Sequence, residues 1–274
     1  MPVEIHPSAV IDAAAELGED VRVGAHAVVG PQVRVGDGCE IGASAQIARD
    51  TTLGRGNKIY PHACVGFDPQ DLKFEGERCF LEVGDGNLIR EFCTLNRGTE
   101  IGGGTTRIGS DNLFMAYTHV AHDCQVGDRA VFVNGATLGG HVEVADDATI
   151  GAFSSVHQFC RVGRHAYIGG YSVIVQDALP FMKTVGIKPA CVGLNRIGLE
   201  RKGFSADELK ALERATRILL RGGLNLGQAL ERLDEELGDS AGVLELVAFV
   251  RASERGVIKR RPGRGGGRGG GNGE

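Results

Sequence analysis

The chain has 274 residues and a formal net charge of −5, which allows one or two domains and gives no reason to expect nucleic-acid binding. It contains no apolar run of about 18 residues, so no membrane span is expected. The start of the chain, Met1 to Glu4, shows no basic or apolar segment of an export signal. Glycine is abundant, with 43 residues, but does not follow the three-residue period of collagen.

A large aliphatic residue returns at every sixth position from Ile5 to Val65. A small residue lies four positions after most of them, as at Ala9 and Ala27, and glycine often follows the aliphatic residue directly. This period fits neither an amphipathic helix nor an alternating strand. It is typical of a parallel β-helix, in which three hexads form one 18-residue coil.

The pattern breaks near residues 67–80, where the chain is polar and contains Pro69. We expect this stretch to leave the prism as an excursion loop. Long ordered loops on rigid supports often carry function, and a tolerated surface insertion is the alternative. The beat resumes through Val83 to Ile101, and again from Ile108 to Ile174. The predicted β-helix spans residues 1–190, in about nine coils and about 40 Å of length.

Residues 191–255 are predicted to form a helical domain that caps the solenoid. Ser205 and Glu208 have the spacing of a capping box, and apolar residues follow at helical spacing. A second helix is predicted at 226–237 and a third at 241–254. The Gly- and Arg-rich tail, 256–274, is predicted to be disordered and dispensable, with RNA or anionic membrane binding as an alternative.

The repeat places residues 18 apart on the same face of successive coils. One column therefore contains His122, Gly140 and Gln158, and the next contains Asp123, His141 and Phe159. The third position of a hexad points outward, so His122 is predicted to lie outside the core, beside the unobstructed amide of Gly140. A flat wall makes no pocket by itself, and a second copy of the prism is the obvious second wall.

Four histidines crowd this region: His119, His122, His141 and His157. A three-histidine zinc site between subunits is one interpretation, because imidazole is a common zinc ligand. The seven cysteines have no metal-binding spacing, and we interpret them as small buried side chains in a reducing cytoplasm. We therefore expect no metal.

Several motifs carry a specific resemblance: His119–Cys124 (HVAHDC), Val156–Cys160 (VHQFC), Gln70–Lys73, Asn96–Thr99 and Gly198–Phe204 (GLERKGF). Together with the hexads they resemble the acyl-ACP–UDP-N-acetylglucosamine O-acyltransferases of lipid A synthesis, from about residue 5 to about residue 258. The resemblance implies a left-handed parallel β-helix with a C-terminal helical domain, a homotrimer, and a cytoplasmic enzyme without a cofactor.

The resemblance also implies direct transfer of an (R)-3-hydroxyacyl chain from acyl carrier protein to the 3-hydroxyl of UDP-N-acetylglucosamine. Histidine suits a general base near neutral pH, so His122 is expected to be the base, with Asp123 orienting it. The Gly140 amide is expected to receive the developing oxyanion.

The substrate contacts that the resemblance implies are Asp71, Lys73, His119, His141 and Gln158 for the sugar and acyl groups, Asn195 and Arg201 for the nucleotide, and Gly170 for acyl length. The helical domain, with basic Arg201, Lys202 and Arg217, is expected to dock the acidic carrier protein. Two positions depart from the family pattern, because Asn96 and Lys188 stand where histidine is expected.

Two other functions were weighed. The related N-acyltransferase normally carries an additional N-terminal uridine-binding domain, whereas the hexads here begin at Ile5. A non-enzymatic scaffold would need neither an outward His122 nor a polar excursion loop. The sequence leaves open the acyl length, and whether the acceptor carries a 3-hydroxyl or a 3-amino group.

Overall fold

The computed structural model describes residues 3–221 and 223–259. Short strands in this part of the chain form the three faces of a prism. Face 1 contains β1 (Glu4–Ile5), β4 (Arg22–Val23), β7 (Glu40–Ile41), β10 (Lys58–Ile59), β13 (Leu88–Ile89), β16 (Leu113–Phe114), β19 (Val131–Phe132), β22 (Thr149–Ile150), β25 (Tyr167–Ile168), β27 (Met182–Val185) and β28 (Ala190–Leu194).

Face 2 contains β2 (Val10–Ile11), β5 (Val28–Val29), β8 (Gln46–Ile47), β11 (Cys64–Phe67), β14 (Thr94–Asn96), β17 (His119–Val120), β20 (Thr137–Leu138), β23 (Ser155–Val156) and β26 (Val173–Ile174). Face 3 contains β3 (Glu16–Leu17), β6 (Arg34–Val35), β9 (Thr51–Leu53), β12 (Phe80–Val83), β15 (Thr105–Ile108), β18 (Gln125–Val126), β21 (Glu143–Val144) and β24 (Arg161–Val162).

The chain passes from face 1 to face 2 to face 3 and back, so each strand pairs in parallel with the strand one coil away. His119 pairs with Thr137, and Thr137 pairs with Ser155, which is the predicted 18-residue repeat. The β27–β28 pair at the C-terminal end is antiparallel. The predicted left-handed parallel β-helix is confirmed.

Hydrophobic burial explains the hexad pattern. The repeated aliphatic residues, such as Val120 and Leu138, and the small residues between them, such as Ala136, fill one continuous core along the prism. At the corners many residues adopt positive φ, among them Asp123, His141 and Phe159. This left-handed conformation turns the chain sharply between faces, although it is uncommon for residues other than glycine.

An asparagine ladder runs inside one corner of the prism. The Asn57 side-chain oxygen accepts hydrogen bonds from the backbone and the side-chain amide of Asn87, and Asn87 accepts the same two bonds from Asn112. These three side chains are buried. Because each buried amide has its partner in the next coil, the ladder satisfies polar groups that would otherwise be costly to bury.

Four helices follow the prism: α1 (Arg196–Arg201), α2 (Ala206–Arg221), α3 (Leu226–Leu237) and α4 (Ala241–Arg251). Ser205 and Glu208 exchange the two hydrogen bonds of the predicted capping box. A second apolar core joins α2, α3 and α4 to the end of the prism. Among the residues described, every helix is too short or too polar to traverse a bilayer.

Two expectations from the sequence are wrong. Ile101, taken as an inward residue, is 85% exposed, because residues 97–104 form a second loop between β14 and β15. The predicted disordered tail begins too early, because Val257 and Ile258 are buried and Ile258 donates a hydrogen bond to Asp177. The rest of that tail, from residue 260 onward, lies outside the described residues.

Candidate active site

The turn between β17 and β18 carries His122 and Asp123 at the corner where face 2 meets face 3. The next coil places Gly140 and His141 at the same corner, since His141 donates its backbone N–H to the His122 carbonyl at 3.0 Å. The third coil continues with Phe159, whose N–H bonds the Gly140 carbonyl. The two columns therefore stack in the order that the 18-residue spacing predicts.

The Asp123 carboxylate lies at the centre of the corner, with its side chain fully buried. It accepts hydrogen bonds from the Thr99 N–H at 2.8 Å and the Thr99 hydroxyl at 2.7 Å, and it lies 2.7 Å from Nδ1 of His122. Burial acts to raise the pKa of Asp123, but the hydrogen bonds from His122 and Thr99 outweigh it and lower the pKa. Asp123 is therefore a carboxylate near neutral pH.

Because an ionised carboxylate only accepts, Nδ1 of His122 must carry the proton that joins the pair. The Nε2 atom then has a free lone pair. A Cβ added to Gly140 would lie 2.5 Å from Cε1 and 2.7 Å from Nε2 of His122, so the ring rests directly over Gly140. Any side chain at position 140 would displace the ring from this position.

The Gly140 N–H donates no hydrogen bond within the described part of the chain. This is a property of the turn, since the equivalent amides of Asn134 and Ala152 donate none either. What distinguishes Gly140 is the imidazole above it. The corner thus combines a base with a free lone pair and an amide that is free to donate.

The sequence predicts an open, outward His122, whereas its side chain is only 12% exposed. Although the ring lies outside the prism core, it is covered by His141, whose ring meets it edge-on with centroids 5.2 Å apart. His141 in turn stacks on Phe159 with centroids 4.4 Å apart. His122 is therefore a shielded group with one accessible edge.

Two further histidines flank this ring. Burial, and secondarily the neighbouring His122, lower the pKa of His119, whose Nδ1 lies 2.7 Å from the Thr94 hydroxyl. Burial also lowers the pKa of His141, against the opposing effect of the carboxylates of Asp123 and Asp71. Both rings are therefore neutral near pH 7 and can donate or accept a hydrogen bond.

The excursion loop, residues 68–79 between β11 and β12, lies at the same corner. Asp71 is close enough to act on the charge of His141, while Lys73 is exposed and donates its backbone N–H to the Asp71 carboxylate. Gln158 is exposed one coil beyond Gly140. The structure thus brings these three residues, with His119 and His141, to the edge of the His122 group.

The remaining predicted site residues lie at other corners. Gly170 is exposed in the turn from face 1 to face 2. Asn195 donates to the backbone carbonyl of His165, in a turn from face 3 to face 1. Arg201 is exposed next to Lys202, which binds Asp147 at that same corner. One chain therefore does not bring these residues to His122.

Sequence reasoning gave no role to Thr99, Asn96 or Arg97, although it quoted the segment that contains them. All three are buried beside the corner. Gly98 and Gly102 allow the approach of this segment, because a Cβ on either would lie within 3 Å of the Asp123 carboxylate. The signal that could have found Thr99 is this pair of glycines next to a threonine.

The side chains of His122, Asp123 and His141 place one ligand atom each within 4.8 Å of one another, the spacing of a metal site. However, the Asp123 oxygens already accept bonds from Thr99 and His122. A cation would have to displace the proton on His122. Burial also raises the pKa of the adjacent Cys124 thiol to about 12, so this cysteine is not a nucleophile near neutral pH.

Comparison with known proteins gives consistent results. The family model "Udp N-acetylglucosamine O-acyltransferase; Domain 2" matches residues 177–258, and a bacterial transferase hexapeptide model with six repeats matches residues 105–140. The acyl-[acyl-carrier-protein]–UDP-N-acetylglucosamine O-acyltransferase of Thiobacillus denitrificans is 50% identical over 93% of this chain and 99% of its own length.

The enzyme of the same name from Stenotrophomonas maltophilia K279a is also 50% identical, over 93% of this chain and 97% of its own. Among solved structures, the UDP-N-acetylglucosamine acyltransferase LpxA of Bacteroides fragilis superposes with a TM-score of 0.91 at 39% identity, covering 92% of this chain and 99% of that one.

Proposed function

We propose that this chain, which belongs to the acyl-[acyl-carrier-protein]–UDP-N-acetylglucosamine O-acyltransferase family, transfers an (R)-3-hydroxyacyl group by general-base catalysis from His122. The acceptor is the 3-hydroxyl of UDP-N-acetylglucosamine, in the first step of lipid A synthesis. The observation that carries this proposal is the His122–Asp123 pair, 2.7 Å apart, with the imidazole lying over Gly140.

The chemistry follows from the positions of these groups. The sugar hydroxyl attacks the thioester carbonyl while Nε2 of His122 removes its proton. The resulting tetrahedral intermediate carries a negative oxygen, to which the Gly140 N–H donates. Collapse of the intermediate breaks the carbon–sulfur bond, and the imidazolium returns its proton to the leaving thiolate. Asp123 holds the proton on Nδ1 throughout and stabilises the imidazolium.

A homotrimer completes the site in this proposal. The His122 group, Gly170 and the Asn195–Arg201 region lie at three different corners of one prism, so a cleft between neighbouring copies is needed to bring them to one substrate. The corner between faces 1 and 2 supports such contact, because a ladder of exposed aromatic rings runs along it. Its stacked pairs are Phe92 with Tyr117 and Phe153 with Tyr171.

Residues Asp71, Lys73, His119, His141 and Gln158 would hold the sugar and the acyl carbonyl. Asn195 and Arg201 would contact the nucleotide, for which the guanidinium fork suits a phosphate. Gly170 would limit the acyl chain, since an exposed glycine leaves room for it. The acyl carrier protein would dock against the helical domain, where Arg201 and Arg217 are exposed.

The direct experiment incubates the purified protein with UDP-N-acetylglucosamine and a panel of 3-hydroxyacyl carrier-protein thioesters, and measures the product by mass spectrometry. We expect one added 3-hydroxyacyl group, removed by mild alkali as an ester is. His122→Ala should abolish this product, whereas His26→Ala, which changes an exposed histidine in an N-terminal coil, should not. An alkali-stable product would indicate an amide and contradict the proposal.

A further inference from the structure

The four-residue segment Asn96–Thr99 ties down both ends of the excursion loop 68–79. The Asn96 side chain donates to the Asp68 carbonyl at 2.8 Å, and Arg97 donates its backbone N–H to the Phe67 carbonyl at 3.0 Å. Gly98 bonds the Phe80 carbonyl at 3.1 Å, where the loop rejoins the prism. The loop is therefore anchored at its entry and its exit by consecutive residues.

The Arg97 side chain is the main buried cation at the base of the loop, with 4% of its surface exposed. Its Nη1 atom donates to the Gly66 carbonyl at 2.7 Å, and its Nη2 atom pairs with the Asp68 carboxylate. A buried guanidinium needs a counter-charge, and Asp68 supplies it from the first residue of the loop. The loop can leave its position only by leaving this charge uncompensated.

The same segment supports the catalytic pair at its other end. Thr99 gives two hydrogen bonds to Asp123, which holds His122. On the loop side, Asp71 lies three residues after Asp68 and acts on His141. One rigid segment thus sets the position of the loop relative to the imidazoles.

We propose that Arg97 and Asp68 form a latch that holds loop 68–79 over the His122–His141 corner, and that both are positioning residues for the sugar nucleotide. This rests on the proposed function, in which Asp71 contacts the sugar. The latch itself touches no substrate. Its effect is to keep Asp71 in place before the nucleotide arrives, so that binding does not have to order the loop.

The test uses Asp68→Asn, which retains the shape of an exposed side chain but removes its charge. We expect the KM for UDP-N-acetylglucosamine to rise about tenfold, which corresponds to about 1.4 kcal/mol, with kcat within about twofold. Hydrogen exchange of the free protein should become faster in residues 68–79 and unchanged in the coils. Glu16→Gln, which breaks an exposed ion pair with Arg34 in an N-terminal coil, is the matched control and should change neither.

A double-mutant cycle with Asp71→Asn then locates the effect. If the latch acts through Asp71, adding Asp68→Asn to Asp71→Asn should raise the KM no further. Additive effects on KM, or loop exchange that Asp68→Asn leaves unchanged, would overturn the latch. Because exchange is measured without turnover, the latch can hold even where His122→Ala keeps its activity and refutes the proposed base.

Discussion

The Asp123 carboxylate lies 2.7 Å from Nδ1 of His122, and it is the fixed member of the pair. Thr99 bonds both oxygens of the carboxylate, and a glycine on either side of the Thr99 turn allows its close approach. The imidazole is thereby held in one tautomer and one orientation. The reactivity of this corner therefore depends on groups that never meet a substrate.

His122→Ala should lower kcat by about 10²–10⁴-fold, the usual contribution of a general base. The fold should be retained, because the ring lies outside the prism core. Asp123→Asn should also lower kcat strongly, because an amide can donate to Nδ1 and so favour the wrong tautomer. Rates with saturating substrates, with circular dichroism as the check on folding, test both. Near-normal turnover in His122→Ala would refute its role as the base.

The hexad arithmetic explains why the sequence predicts the His122 column so well. Every coil from 114 to 174 has 18 residues, so His122, Gly140 and Gln158 follow without error. The arithmetic fails where loops lengthen a coil: His119 pairs with Thr94, 25 residues earlier, and Lys58 pairs with Leu88, 30 residues later. Thr99 and Arg97 lie in that irregular part, so no fixed spacing could place them beside Asp123.

The sequence also cannot predict how deeply a side chain is covered. His122 is outward by its position in the hexad, yet its neighbour His141 reduces its exposure to 12%. Such covering depends on rotamers and on the stacking of His141 on Phe159, which no periodicity specifies.

Thr99→Val should lower kcat by about tenfold, because Asp123 loses one of two bonds from that residue, and a hydrogen bond to a charged group contributes about 1.5–3 kcal/mol. The KM for either substrate should change little, since Thr99 is buried and contacts neither in the proposed site. Thr99→Ser restores the hydroxyl and should recover most of the rate. A serine variant as slow as the valine variant would show that the loss is structural.

Gly140→Ala should reduce activity by at least about 100-fold, the loss seen when one oxyanion donor is removed, because the new Cβ would lie 2.5–3.1 Å from three ring atoms of His122. The ring must rotate and lose its bond to Asp123, whereas the backbone needs no change. Thermal stability should fall little. In the His122→Ala background the same substitution should cost nothing further, and an additive loss would place the effect elsewhere. Gly227→Ala, where the new Cβ meets only ordinary contacts, is the control for the substitution.

The protein should become less stable as the pH falls below about 6.5, the ordinary pKa of histidine. Burial lowers the pKa of His165 and of His119 in the folded protein. The unfolded chain therefore takes up protons first, and stability is lost from about pH 6.5 down toward the folded pKa values. The fall in Tm between pH 8 and pH 5 should be smaller in His165→Gln. The exposed His26→Gln variant should fall like the parent, and parallel curves for all three proteins would contradict the prediction.

Truncation at the C-terminus should have a sharp threshold between residues 255 and 259. Asp177 exchanges backbone hydrogen bonds with Gly256 and Ile258, and the Ile258 side chain closes the end of the prism core. A chain ending at 255 should lose about 2–5 kcal/mol, the range for removing one large buried side chain, and a correspondingly lower denaturant midpoint. A chain ending at 259 keeps every one of these contacts and should unfold like the full chain. Equal midpoints for the two truncations would mean that the last strand-like segment does not contribute to closing the prism.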